Sequence, residues 1–197
     1  ITILLDVAYI EFAGDGSQKK FFKKFSSLPE NIITTVAYSM SKSYTAYGIR
    51  AGACIIISSN EDIAERAFDS MKHSNRSIWS NITHAGMNIL VDIESDKTKK
   101  NSYEDELKEN RQLLEKRARA FVENAKEVGL IHLPYFGGFF ISIPCDKPKE
   151  VAEKLKEKDM YIVANKNGLR FAVCAVSEEK CIISPRLIKE AIDEVNK

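Results

Sequence analysis

Three short β-rich runs constrain the opening part of the chain: Ile1-Thr-Ile-Leu-Leu5, Ile32-Ile-Thr-Thr-Val-Ala-Tyr38 and Ala51-Gly-Ala-Cys-Ile-Ile-Ile57. Runs of this length and composition are expected to be strands. Helical patterns lie between and after them. Phe21 to Leu28 carries apolar and basic residues at helical spacing, and the third run stops at Ser58-Ser-Asn-Glu61. Ser59 or Asn60 is there a helix cap ahead of Glu61, Asp62 and Ala64-Glu-Arg-Ala-Phe68. Strands interleaved with helices predict part of an α/β sheet. The first strand begins at the first residue, Ile1, with no methionine. A core strand with nothing before it leaves its neighbours missing, so the chain reads as a piece of a larger protein whose sheet has unpaired edges.

From Tyr103 to about Val128 the pattern changes. Leu107, Leu113, Leu114, Ala118, Phe121, Val122 and Ala125 recur near helical spacing, which predicts a long amphipathic helix closed by Gly129. Pro134 and Gly137-Gly138 punctuate the loop that follows. A strand at 139–143, a helix from Pro148 to Lys158, strands near Met160–Val163 and Leu169–Val176, and a helix from Pro185 to Val195 form an α+β layer distinct from the first part. The boundary is placed inside the long helix, giving domains of residues 1–108 and 109–197.

Composition excludes several classes of function. A hydrophobic fraction of 44%, a charged fraction of 29% and a net charge of +1 are ordinary for a globular protein and provide no field for nucleic acid or an acidic membrane. The basic runs Lys19-Lys20, Lys23-Lys24 and Lys97 to Lys100 are short enough to be solvated surface. No apolar run has membrane-spanning length, and no stretch looks like a signal peptide. The cysteines (Cys54, Cys145, Cys174, Cys181) are scattered without a Cys-x-x-Cys pair, which points to reduced thiols in a cytoplasmic protein. His73 and His132 lack ligand partners at useful spacing, so no metal is expected.

The second and third strands flank Ser39-Met-Ser-Lys-Ser-Tyr-Thr-Ala-Tyr-Gly-Ile-Arg50. A β-rich run delivers one lysine into a turn of small residues and hydroxyls, followed by an arginine. An amine nucleophile needs that setting: rigid support, limited hydration and anion-binding groups nearby. The pattern Ser-x-Ser-Lys-(x)4-Tyr-Gly-x-Arg-x-Gly resembles the cofactor-lysine motif of pyridoxal-phosphate aminotransferases of fold type I, in their aspartate/aromatic branch. The resemblance implies the C-terminal part of that fold, with a partial large-domain α/β sheet followed by a small α+β domain. It implies a covalent internal aldimine of pyridoxal 5′-phosphate at Lys42, which then shuttles the α-proton as base and acid. Ser39, Ser41 and Arg50 are implied as cofactor-binding, a hydroxyl and a guanidinium being suited to phosphate.

Asp6-Val-Ala-Tyr9-Ile-Glu-Phe12 is similar to the family's Asp-x-Ala-Tyr-x-Gly-Phe, 36 residues before Lys42. Asp6 would face the pyridine nitrogen and Tyr9 the phenolic oxygen; Glu11 departs from the usual glycine. Arg170, in Asn167-Gly-Leu-Arg-Phe-Ala-Val-Cys174, matches the residue that clamps the substrate α-carboxylate. Phe140, in Gly138-Phe-Phe140, resembles a residue lining the same pocket. Arg76-Ser-Ile-Trp79-Ser-Asn81-(x)4-Gly86 resembles the segment whose arginine reaches across the dimer interface to a distal carboxylate, with Trp79 in place of tyrosine and Ile82-Thr83 in place of prolines. His84 is expected to be a packed loop histidine. Taken singly, Lys42 is a surface lysine, Asp6 a turn cap, and Arg170 and Arg76 surface arginines. The motifs around them argue otherwise.

The expected activity is transamination between an amino acid, aspartate or aromatic, and a 2-oxo acid, by a homodimer. The resemblance also implies missing parts: the loop and helix that hold most of the phosphate, the residue stacked on the ring, an asparagine and a partner-subunit tyrosine. The 197 residues alone are therefore expected to be inactive. A lyase or decarboxylase on the same scaffold, or a non-catalytic dimerisation fragment, are the alternatives.

Overall fold

Each of the three opening runs is a strand. The structure is a computed structural model that describes residues 1–14 and 17–197. Strands β1 (Thr2–Asp6), β2 (Ile33–Ser39) and β3 (Gly52–Ile57) form one sheet in the order β1-β2-β3. β1 runs parallel to β2 with Asp6 opposite Ala37, and β3 runs antiparallel with Gly52 opposite Ser39. The C-terminal ends of β1 and β2 therefore share one edge of the sheet, and the chain leaves and re-enters at that edge through residues 40–51. In open sheets containing parallel strands this is where ligands bind.

A parallel pair needs a long crossover. Here it includes two 3₁₀ segments, Ile10–Phe12 and Ser17–Phe25. The helical spacing read at 21–28 is thus a 3₁₀ turn that ends at Phe25. Phe21 and Phe22 pack against a cluster of Val7, Ile10 and Val36.

Helix α1 (Met40–Ser43) follows β2 directly, and α2 (Glu61–Trp79) follows β3. Of the two expected caps for α2 it is Asn60 that serves, its Oδ1 accepting from the Ile63 amide at 3.1 Å. α3 (His84–Ser95) was not foreseen from the sequence, and His84 stands in its first turn rather than in a loop. The long helix α4 (Lys97–Glu127) starts before Tyr103 because Asp96 accepts from the amides of Thr98 and Lys99. Gly129, at φ 67°, ends it: its amide donates to Lys126 and that of Leu130 to Ala125, the paired bonds of a Schellman cap.

The chain divides into two compact units, Ile1–Leu107 and Lys108–Lys197. In the second, β4 (Phe140–Pro144), β6 (Gly168–Ala172) and β5 (Val163–Asn165) form an antiparallel sheet in the order β4-β6-β5. Helices α5 (Pro148–Lys156) and α6 (Glu178–Val195) accompany it. Phe121, Ile141, Ile143, Val151, Leu155, Leu169 and Ile188 are all fully buried. Ile141 and Ile143 alternate with outward Ser142 and Pro144, as a one-sided strand requires.

Two expectations are corrected here. The strand read to Val176 stops at Ala172, where a 3₁₀ turn, Val173–Ala175, buries Val173 and lets its amide donate to Phe139. The last helix starts at Glu178, capped by Ser177, and carries Pro185 inside it. The Pro185 ring is itself buried, and Ser184 Oγ donates to the Lys180 carbonyl at 2.6 Å, so packing and a local bond offset part of the lost backbone hydrogen bond.

Candidate functional site

The loop between β2 and β3 is closed at its base by the Met40 amide donating to the Ala51 carbonyl at 3.1 Å. Within it, Ser39 caps α1, its Oγ accepting from the Ser41 amide at 3.2 Å. The one-turn helix presents Lys42, half-buried, between the buried side chains of Ser41 and Ser43.

Lys42 makes ring contacts. Its Nζ lies 4.7 Å from the centroid of the Tyr9 ring and 5.8 Å from that of Tyr47. Each such contact contributes about 0.5–1 kcal/mol at a partly exposed site and leaves the amine's hydrogens uncommitted. The Arg50 guanidinium carbon also lies over Tyr47, 4.8 Å from the ring centroid. Arg50 Nη1 also donates to Tyr47 O at 2.8 Å and to Ser41 Oγ at 3.3 Å. Tyr9, Lys42, Tyr47, Arg50 and Ser41 thus form one continuous cluster at the sheet edge. A guanidinium hydrogen-bonded to a hydroxyl in the same loop as an uncommitted amine is a donor set suited to a phosphorylated aldehyde.

The loop is strained. Arg50 has φ 58° and ψ 44°, and Thr45 has φ 50°. Left-handed backbone costs a non-glycine residue about 1–2 kcal/mol and is an outlier for β-branched threonine. It persists only where the surroundings over-determine it.

Asp6 ends β1 with an exposed carboxylate whose Oδ1 accepts from the Ala8 amide at 3.1 Å. That bond leaves the other carboxylate oxygen available to a ligand. Glu11 is 7% exposed, with its Oε1 2.8 Å from Lys19 Nζ, so the position where glycine was expected holds a buried, ion-paired carboxylate.

Arg170 and Phe140 belong to the second unit. The Arg170 guanidinium carbon lies 4.4 Å from the Phe140 ring centroid, and Arg170 Nε is buried with no hydrogen-bond partner among the described residues. A buried donor left unpaired costs about 1–3 kcal/mol, and a ligand acceptor relieves it. Arg76 is in the last turn of α2, exposed, and its Nη1 donates to Ser80 Oγ at 2.7 Å and Ser80 O at 3.2 Å. Its bonds are to its own helix end and none is to the Lys42 cluster. Trp79 beside it is 71% exposed.

Tyr47, which the sequence reading leaves out of its candidates, stands in the motif between Lys42 and Arg50 and contacts both cations. Gly86 has a physical reason in the structure: a Cβ there would lie 2.4 Å from Ala51 Cβ and 3.6 Å from Met40 Sδ, so its absence lets α3 seat on both ends of the lysine loop. Among the described residues no group of three or more His, Cys, Asp or Glu is placed to hold a metal ion, and no helix is long and apolar enough to cross a membrane.

Comparison with known proteins bears on this geometry. A structure of an aminotransferase from Anaerococcus prevotii is similar over 100% of this chain and 47% of its own, with TM-score 0.92 and 47% identity. An aromatic-amino-acid aminotransferase from Burkholderia pseudomallei, solved covalently bound to pyridoxal phosphate, shares the fold with TM-score 0.73 and 24% identity, over 97% of this chain and 48% of its own. The aspartate aminotransferase of Salmonella typhi is 32% identical over 127 residues, 64% of this chain and 32% of its own length. The chain thus spans about a third to a half of the relatives it matches. The family model of aminotransferase class I and II matches residues 1–183, and the chain belongs to that family.

Proposed function

We propose that the protein, at its natural length, transfers an amino group between an amino acid, aspartate or aromatic, and a 2-oxo acid, with pyridoxal 5′-phosphate as cofactor. The observation that carries this is Lys42: an amine held against two aromatic faces, beside Ser41 and Arg50, in a chain of the aminotransferase family. Bound at this site, the cofactor supplies an electron sink for the negative charge that develops on the amino-acid Cα.

The residues present fit that group. Lys42 Nζ would be the amine that holds it covalently and would then carry the proton lost from Cα. The free oxygen of Asp6 would keep its ring nitrogen protonated, and the Tyr9 hydroxyl would donate to its phenolic oxygen. Arg50, Ser41 and Ser39 would bind its phosphate, a role the Ser41–Arg50 hydrogen bond supports. Arg170 binds the substrate α-carboxylate bidentately, which satisfies its orphaned Nε, with Phe140 beneath the guanidinium. Arg76 meets a distal carboxylate once it leaves Ser80. The domains are a partial large cofactor-binding domain to residue 108 and a small domain after it. We further place the protein in the cytoplasm as a homodimer with its sites at the interface.

Lys42→Ala at natural length tests the reading. Loss of the general base lowers kcat by about 10²–10⁴-fold or more. Added methylamine, supplying the missing amine, restores part of it. Unchanged turnover by Lys42→Ala would end the assignment.

A further inference from the structure

The residue two positions after Lys42 is clamped by groups far away in sequence. The Tyr44 and Tyr103 rings are stacked, with centroids 4.7 Å apart and planes 5° from parallel. Tyr44 Oη donates to Glu94 Oε1 at 3.0 Å, and Lys100 Nζ donates to Glu94 Oε2 at 2.8 Å. One side chain is thereby tied to α3 through Glu94 and to the first turns of α4 through Tyr103. Two turns before Glu94 on α3 stands Gly86, seated on Ala51 and Met40. Eight residues of helix span about 12 Å and carry the second position about 80° past two full turns. α3 therefore meets the lysine loop at both ends and near its middle.

The loop needs such a clamp. Tyr44 precedes Thr45, the left-handed threonine, whose amide donates to the Lys42 carbonyl at 3.2 Å. Relaxation of Thr45 toward ordinary backbone would change the direction in which the chain runs from the Lys42 turn to Tyr47. An aromatic stack and a hydrogen bond to a charged acceptor are together of the same order as the strain of one left-handed residue. Burial, and then the bond to Glu94, raise the Tyr44 phenol far above its ordinary value, while Lys100 first and Tyr44 second hold the Glu94 carboxyl low. Donor and acceptor keep their roles throughout the neutral range.

We propose that Tyr44, held by Tyr103 and Glu94, is the positioning residue that fixes the strained Lys42 turn. The cofactor part of this inference rests on the function proposed above; the clamp itself does not.

Two measurements on the natural-length protein separate the two. In the cofactor-free protein, amide hydrogen exchange over residues 40–50 is compared for wild type, Tyr44→Phe, Tyr44→Leu, Tyr103→Leu and the double leucine variant. Tyr44→Leu, which loses both the stack and the bond to Glu94, should speed exchange there about tenfold while leaving β4 and β6 unchanged. The double variant should be little worse than Tyr44→Leu, while Tyr103→Leu and Tyr44→Phe, which each lose one of the two contacts, should lie between it and wild type. In the protein loaded with pyridoxal phosphate, the pH midpoint of the bound chromophore's absorbance should move in the same order. Loss of fold alone does not produce that order. Unchanged exchange over 40–50, or fully additive effects of the two leucines, overturns the clamp. If wild type shows no lysine-bound chromophore, the function fails and the exchange series still decides the clamp.

Discussion

The second unit packs a core of its own, whereas the first holds the Lys42 cluster on a smaller one. Phe121, Ile141, Leu155, Leu169 and Ile188 meet from two helices and a sheet in the second unit, with α4 contributing Phe121. In the first, the buried cluster behind the sheet is Val7, Ile10 and Val36, and α2 has no buried residue. Four of the six residues of β3 are exposed, and α2 presents Phe68, Met71, Ile78 and Trp79 outward. A unit that closes on itself specifies one packing through apolar area. The lysine loop is specified instead by directional contacts: an aromatic stack, a carboxylate acceptor, a glycine-sized approach and two cations against rings. These fix a strained turn that apolar burial does not fix, and they tolerate less change.

The largest effect that sharpens this contrast is expected in the second unit. Leu155→Ala removes a fully buried side chain and should cost about 2–5 kcal/mol of that unit's stability, read by denaturant titration. A loss below 1 kcal/mol would mean the second unit is not held by its core. In the first unit, Gly86→Ala should act locally. Its methyl group meets Ala51 and must push α3 off the loop at a cost of about 1–3 kcal/mol. Pyridoxal-phosphate affinity should fall with stability for Gly86→Ala and stay constant for Leu155→Ala. Equal loss of affinity in both would break the distinction between the units.

The two arginines give the next test. A guanidinium facing a desolvated carboxylate is worth roughly 1.5–3 kcal/mol, or about one to two decades. Arg170→Leu should lower kcat/KM for aspartate and tyrosine about equally. Arg76→Leu should lower it for aspartate far more than for tyrosine. Equal losses for Arg76→Leu would show that its bond to Ser80 persists with substrate bound, and would favour aromatic or neutral substrates.

Acid should show the smallest effect. Lys100 and Tyr44 hold the folded-state pKa of Glu94 below its ordinary 4.5. The stabilisation from Glu94 is then complete above about pH 4.5 and is lost as pH falls through the lowered folded value. Because Glu94 is 40% exposed, Glu94→Gln should cost no more than about 1 kcal/mol at pH 7. The difference should fade in strong acid. A cost that grows on acidification contradicts the direction of the shift.

Local features of the fold were legible in the sequence. The three strands, the Asn60 cap and the Gly129 stop are announced by residues within a few positions of each. Pro185 misled because proline most often opens a helix, and only Ser177 with Glu178 and Glu179 shows that α6 had already begun. α3 was hidden because its apolar residues, Met87 and Ile89-Leu-Val91 among them, run together and none of these is buried, which gives no clean helical stripe. At the site, one motif supplies Ser39, Ser41, Lys42 and Arg50 within a dozen residues and a second supplies Asp6 and Tyr9, while the structure adds the Tyr47 ring near the amine. The clamp was not legible, since Tyr44 meets Glu94 and Tyr103 across more than forty intervening residues and no spacing announces the contact.

The central claim is that one lysine among many is the cofactor's amine. Borohydride reduction of the natural-length protein with pyridoxal phosphate, followed by peptide mapping, measures it directly. The account predicts a single modified peptide carrying the label on Lys42, absent from Lys42→Ala. Label on another lysine, or spread across the surface lysines with no preference for Lys42, would contradict it.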